Sequence, residues 1–177
     1  MLMYWRELTV AWGESDPFGL VYYPRMLAWV NDTEHDLFRA LGYPIDEMIR
    51  KDRTTFVMGE IHFRFIGPAA YGDRIRCIMT LAKVGKSTLH WDCKAINVTT
   101  GITVNEGRAT RVYARINEDG TLSSASIPDH MRSALLEFDP QKELGEPRLG
   151  ETQRITAFEA GDDARFEFLR EIIAEEK

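Results

Sequence analysis

Cysteine is scarce. The two present in 177 residues, Cys77 and Cys93, are too few and too scattered for a disulfide framework or a zinc site. Each falls inside a strand-like run and reads as a small core residue. Histidine is nearly as rare, and no pair shows a metal-binding spacing such as His-Glu-x-x-His, so no metal is expected. An excess of positive charge is missing too. The formal net charge of −6 argues against a general nucleic-acid binder, and any anionic ligand must be gripped by a local cluster of cations. No apolar run approaches the roughly 18 residues of a membrane span. The first residues, Met1-Leu2-Met3-Tyr4-Trp5-Arg6-Glu7, hold no basic region followed by an apolar stretch. Neither membrane insertion nor secretion is expected, and a cytoplasmic location follows.

What the chain does contain is the material of a soluble core: 44% of its residues are hydrophobic and 28% charged, and the length favours one core with at most an appendage. Tyr4 to Trp12 alternates loosely and reads as a first strand. Apolar positions at helical spacing, Leu27, Val30, Leu37 or Phe38, and Leu41, predict a helix from Pro24 to Leu41, stopped by Gly42 as a left-handed cap. Such a helix is about 27 Å long at 1.5 Å per residue. Residues 45–53 read as a linker with at most a helical turn. Strand-like runs follow at Thr55 to Ile66, Arg74 to Val84, Ser87 to Val98 and Thr103 to Ile116, broken at Gly67-Pro68, Gly85-Lys86 and Thr100-Gly101. Short turns between successive strands favour antiparallel hairpins. Ile127 to Phe138 reads as a closing helix. Residues 139–177 read as a C-terminal extension: 139–150 have linker composition, with a strand expected at Arg154 to Phe158 and a helix from Ala164 to about Glu175. It would serve as an edge addition to the sheet or an oligomer contact.

Between the first strand and the long helix lies the stretch from Gly13 to Pro24. Pro17 fixes its own φ and pushes Asp16 towards an extended conformation, while Gly19 permits a turn that a residue with a Cβ resists. Pro24 suits a first helical turn, so amides without acceptors are expected to collect from Leu20 to Tyr23, at the positive end of the helix dipole. One turn therefore offers a carboxylate beside a place for an oxyanion. An aspartate here also has a bland reading, as a former of the turn itself.

The run Asp16-Pro17-Phe18-Gly19-Leu20-Val21-Tyr22-Tyr23-Pro24 resembles the Asp-Pro-x-Gly-φ-Val-φ-Tyr-Pro signature of the 4-hydroxybenzoyl-CoA thioesterase family, φ being a large apolar or aromatic residue. A second stretch, Phe63 to Asp73, has a counterpart in that family, so the resemblance covers about residues 4 to 135. It implies a hot-dog α+β fold over residues 1–138, with a long helix wrapped by a curved antiparallel sheet of five or more strands. It also implies hydrolysis of an acyl-CoA thioester, with Asp16 as nucleophile or general base and the backbone N–H of Tyr23 polarising the carbonyl. No cofactor is implied, since coenzyme A arrives as part of the substrate. Homodimers or homotetramers are implied, with the site between protomers, and physics agrees that an open sheet gains by pairing its edge.

Phe18, Gly19, Val21 and Tyr22 would line the substrate, with Phe18 shaping an acyl pocket or its entrance. Tyr23-Pro24, where other relatives place a histidine, leans towards an aromatic acyl group. Glu60 and His62 share a face of the second strand and are secondary candidates. His35, His90 and His130 read as packed or solvated residues. For the phosphates of coenzyme A the hairpin residues Lys83, Lys86 and Ser87 are the candidates, with Arg111, Arg115 and Arg132 as supplements. Val84 and Gly85 stand where the aromatic-CoA relatives have two arginines. Two other readings stay open: a thioesterase acting on acyl carrier protein, and a non-catalytic acyl-CoA-binding module. A hot-dog hydratase is disfavoured, because its Asp-x-x-x-x-His pattern would need a histidine at Val21.

Overall fold

The computed structural model describes residues 2–139; the extension expected at 139–177, with its strand and helix, lies outside them except for Asp139. Strand β1 (Met3–Thr9) leads through a 3-10 turn (Trp12–Glu14) to helix α1 (Tyr23–Ala40). A single turn, α2 (Ile45–Glu47), widens into a π turn at Met48–Asp52. Strands β2 (Thr54–Phe65), β3 (Arg74–Val84), β4 (Thr88–Asn97), β5 (Thr103–Ile116) and β6 (Leu122–Ser124) follow, and α3 (Asp129–Glu137) closes the described chain. The strands form one antiparallel sheet in the order β1-β3-β4-β5-β2, with β6 hairpinned onto β5.

Helix α1 lies across one face of this sheet. Its buried stripe, Met26, Trp29, Val30, Thr33, Glu34, Leu37 and Phe38, recurs at three- and four-residue spacing. Every second residue of β3 (Ile75, Cys77, Met79, Leu81) and of β4 (Leu89, Trp91, Cys93, Ala95) is buried in the hydrophobic core under it. Full burial of side chains such as Trp91, Phe38 and Leu37 contributes on the order of 1.5–3 kcal/mol each. Where β2 and β5 run closest, Gly107 is required: a Cβ there would stand 2.1 Å from the carbonyl oxygen of His62. Burial pushes the Cys77 and Cys93 thiols up to about 12. Thiolate is then scarce near neutrality, so neither is a nucleophile.

The sheet departs from the sequence reading in two places that shape the site. First, β1 ends at Thr9, opposite the first residue of β3. Val10 still bonds to Gly72 and Asp73, and the chain then turns at Trp12–Glu14, although a strand extending to Trp12 is expected from the alternation. Second, β2 does not form a hairpin with β3. It pairs with β5, and the segment from Ile66 to Asp73 carries the chain across to the far side of the sheet, where β1 occupies the open edge of β3. On its way that segment passes beneath the turn before α1, with an Ala69 carbonyl accepting from Val21 N–H at 2.8 Å and a bridge between Leu20 and Ala70.

Candidate active site

From Ser15 to Tyr23, every backbone N–H of the turn but one finds an acceptor among the described residues. Asp16 Oδ1 accepts from Phe18 N–H (2.8 Å) and Leu20 N–H (3.2 Å), and Asp16 N–H donates to the Leu20 carbonyl (2.7 Å). Gly19, at φ +80°, donates to the Asp16 carbonyl (2.9 Å); a side chain there would be strained. Val21 N–H is taken by Ala69, and Tyr22 N–H by the Glu14 carbonyl at 2.8 Å. Pro24 has no N–H. That leaves the N–H of Tyr23, the first helical residue, without an acceptor among the described residues. The sequence suggests a cluster of free amides from Leu20 to Tyr23; the structure reduces it to this single donor, because Asp16 Oδ1 takes the Leu20 N–H and the chain segments bridged at Ser15–Val21 and Leu20–Ala70 take those of Tyr22 and Val21.

Asp16 therefore fills its bland role and keeps a spare group. One oxygen closes the turn; the other has no hydrogen-bond partner among the described residues, and the residue is half-buried. Chemically, the turn presents a carboxylate oxygen and, a few residues on, an unpaired N–H at a helix N-terminus. Aromatic rings surround the helix end. The Tyr23 ring meets those of Tyr22 (centroids 5.3 Å apart) and Phe65 (5.8 Å), and all three are about half exposed. Phe18 stands at the tip of the turn, 84% exposed. Met58, Ile61 and Phe65 continue the apolar surface along the helix-facing side of β2.

Several sequence candidates sit elsewhere. Arg111 is not a surface cation for phosphate. It projects from β5 to the helix side, where its Nε donates to Glu34 Oε2 at 2.6 Å and a terminal nitrogen donates to Asn31 Oδ1 at 2.7 Å; both members of the Arg111–Glu34 pair are buried. Burial pushes the Glu34 carboxyl above the usual range, and the Arg111 guanidinium pulls it back. Glu60 and His62 share a face, as the alternation implies, but it is the face away from α1, opposite Thr110 and Arg108. A bulge between Met58 and Glu60, at Gly59, shifts the register. Phe56 and Met58 face the helix at even positions; beyond the bulge Ile61, Phe63 and Phe65 do so at odd ones. Arg132 donates to the carbonyls of Val84 (3.4 Å) and Gly85 (2.7 Å), so it holds the β3–β4 hairpin rather than facing out from it. Lys83 and Lys86 are exposed, with no ion pair among the described residues, and Ser87 gives its carbonyl to Tyr113 N–H at 2.8 Å.

Two acidic residues carry structure that the sequence reading passes over. Glu34 has a detectable signal, since a charge at that position interrupts the apolar stripe between Val30 and Leu37. Glu14 has none: its carboxylate accepts from Ala11 N–H and from the indole N–H of Trp29, both at 2.7 Å. No group of three or more His, Cys, Asp or Glu able to hold a metal occurs among the described residues, and no helix there is long and apolar enough to cross a membrane.

Comparison with known proteins gives one family match. Residues 10–135 match the model of the thioesterase-like superfamily. No protein of curated function matches the chain. Among solved structures, a 1,4-dihydroxy-2-naphthoyl-CoA thioesterase from Synechocystis is similar at a TM-score of 0.70 and 16% identity, over 77% of this chain and 98% of that one. The 4-hydroxybenzoyl CoA thioesterase from Pseudomonas sp. strain CBS-3 is similar at 0.69 and 17%, over 75% and 98%. A gentisyl-coenzyme A thioesterase is similar at 0.65 and 23%, over 74% and 98%. At these identities the likeness is one of fold: a long helix against a curved antiparallel sheet.

Proposed function

The chain belongs to the thioesterase-like superfamily and has the hot-dog fold, and on that premise we propose that it hydrolyses an acyl-CoA thioester to a free acid and coenzyme A. One observation carries the reading: a single turn holds an oxygen of Asp16 and the N–H of Tyr23, both without a hydrogen-bond partner among the described residues. The thioester carbonyl oxygen accepts from Tyr23 N–H, which stabilises the negative charge that builds as the carbonyl carbon is attacked. The attacker is either Asp16 itself or a water. In the first route Asp16 forms a mixed anhydride and coenzyme A leaves as the thiol after protonation; water then cleaves the anhydride and restores the carboxylate. In the second, Asp16 takes the proton of the attacking water.

An aromatic acyl group suits the exposed rings of Tyr22, Tyr23 and Phe65 beside the donor. The three similar structures named above are thioesterases of 1,4-dihydroxy-2-naphthoyl-CoA, 4-hydroxybenzoyl-CoA and gentisyl-CoA. Lys83, Lys86 and Ser87 in the β3–β4 hairpin remain the candidates for the phosphates of coenzyme A. The test is thiol release from matched aromatic and aliphatic acyl-CoAs and from acyl carrier protein. Cleavage of aromatic acyl-CoAs is expected. Cleavage of the carrier protein alone would change the substrate class, and binding without cleavage would make the domain a sensor.

The partner we propose is a second copy of this chain. Strand β2 is an edge of the sheet, 12 residues long, with Met58, Ile61 and Phe65 half exposed on its helix-facing side. A long apolar edge is a template for pairing, and pairing two copies satisfies both. Light scattering is expected to give at least twice the protomer mass for wild type and a lower mass for Ile61→Asp. A monomeric wild type would remove the proposal.

A further inference from the structure

We propose that Glu14 is the positioning residue of this site, fixing where the Tyr23 N–H points; the inference rests on the thioesterase reading above. Three hydrogen bonds converge on Glu14. One carboxylate oxygen accepts the indole N–H of Trp29 at 2.7 Å, the other accepts Ala11 N–H at 2.7 Å, and the Glu14 carbonyl accepts Tyr22 N–H at 2.8 Å. The last bond seats the residue immediately before the free donor. The first reaches into α1 beyond it, to a tryptophan that is 3% exposed and packed with Val10, Val21 and Met26. The turn that carries Asp16 is thereby clamped to the helix that carries Tyr23, and the clamp is anchored in the core.

A donor to a developing oxyanion works only when it is held within a fraction of an ångström of its position. Among the bonds described, the Glu14–Trp29 contact is a charge-assisted link between the 3-10 turn and the helix. Without it the start of α1 is held to the turn by the backbone bonds of Val21 and Tyr22 alone, and the Tyr23 N–H is less tightly fixed relative to Asp16. Electrostatics alone predicts the opposite effect: a carboxylate near a forming oxyanion opposes it, so removing the charge would speed the reaction. The sign of the change therefore separates positioning from simple charge.

The experiment pairs Glu14→Gln with Trp29→Phe and the double variant. Glutamine keeps the shape but has one acceptor oxygen, so its amide N–H₂ must face one of the two donors. Phenylalanine keeps a ring in the core and removes the indole N–H. Each single variant is expected to lower kcat roughly 10-fold or more with KM changed less than about threefold, because the loss falls on the transition state. The double variant is expected to be no slower than the worse single, as for two ends of one contact. NMR checks the bond itself: the indole N–H resonance absent from Trp29→Phe is expected to move in Glu14→Gln. An unchanged or raised kcat in folded Trp29→Phe, or in folded Glu14→Gln with that resonance moved, would overturn the inference. So would a loss confined to thermal stability. Should Glu14→Gln fail to fold, Trp29→Phe decides alone. A wild type that releases no thiol would instead overturn the thioesterase reading, whereas an active wild type with equally active variants removes only the role of Glu14.

Discussion

Asp16→Asn is expected to slow thioester hydrolysis by roughly 10²-fold or more while KM stays near its wild-type value, as when a positioned base or nucleophile is removed. The choice of asparagine follows from the turn. Phe18 and Leu20 both donate to one oxygen of Asp16, and the carbonyl oxygen of an asparagine side chain can accept the same two bonds. The turn and the free Tyr23 N–H then persist, and only the second, anionic oxygen is lost. Alanine would open the turn as well and confuse chemistry with folding. Thiol release measured beside a thermal melt decides the matter. Full activity in a folded Asp16→Asn would show that the carboxylate has only its turn-forming role.

The second large effect is on stability. Arg111→Met removes the counter-charge of a glutamate that is 2% exposed, and stranding a buried charge costs about 3–5 kcal/mol. Asn31 loses its donor in the same step. The deficit should depend on pH, with a definite sign. Burial holds the folded Glu34 carboxyl above the ordinary glutamate range even with Arg111 present, and further above without it. An acid raised in the folded state binds its proton more readily folded than unfolded. Its contribution is fully present below the unfolded pKa and is lost as pH rises through the folded one. Urea denaturation is therefore expected to show a smaller deficit for Arg111→Met, relative to wild type, at about pH 5 than at about pH 8. Replacing both partners by apolar residues, Arg111→Met with Glu34→Leu, should recover most of the loss. A pH-independent deficit, or one below about 1 kcal/mol, would show that the pair is not the desolvated contact described.

The legible parts of this chain are those governed by local backbone chemistry. Pro17 and Pro24 confine the backbone and Gly19 and Gly42 release it into left-handed φ wherever they occur, so the turn, the start of α1 and its cap could be read directly. Gly42 does adopt a left-handed φ of +82°. The strands were legible by alternation. What alternation could not give is which face each strand turns to the helix, because that depends on register. A single bulge at Gly59 reverses the parity of β2 and sends Glu60 and His62 to the outer face. Arg111 looks like a surface cation in the sequence for a related reason: its burial follows from a partner 77 residues away on the helix. The pairing of β2 with β5 is equally non-local, and short connections between successive strands pointed to the wrong neighbour.

The two buried cysteines bring a practical consequence. Thiols held at about 12 beneath α1 are silent to the reagents that detect released coenzyme A, because those reagents need thiolate and access. They become visible only when the core opens. The protein thus carries its own unfolding reporter. A colour change that requires substrate records turnover, and one that appears without it records loss of the native state, so each variant above can be judged for activity and integrity in one cuvette.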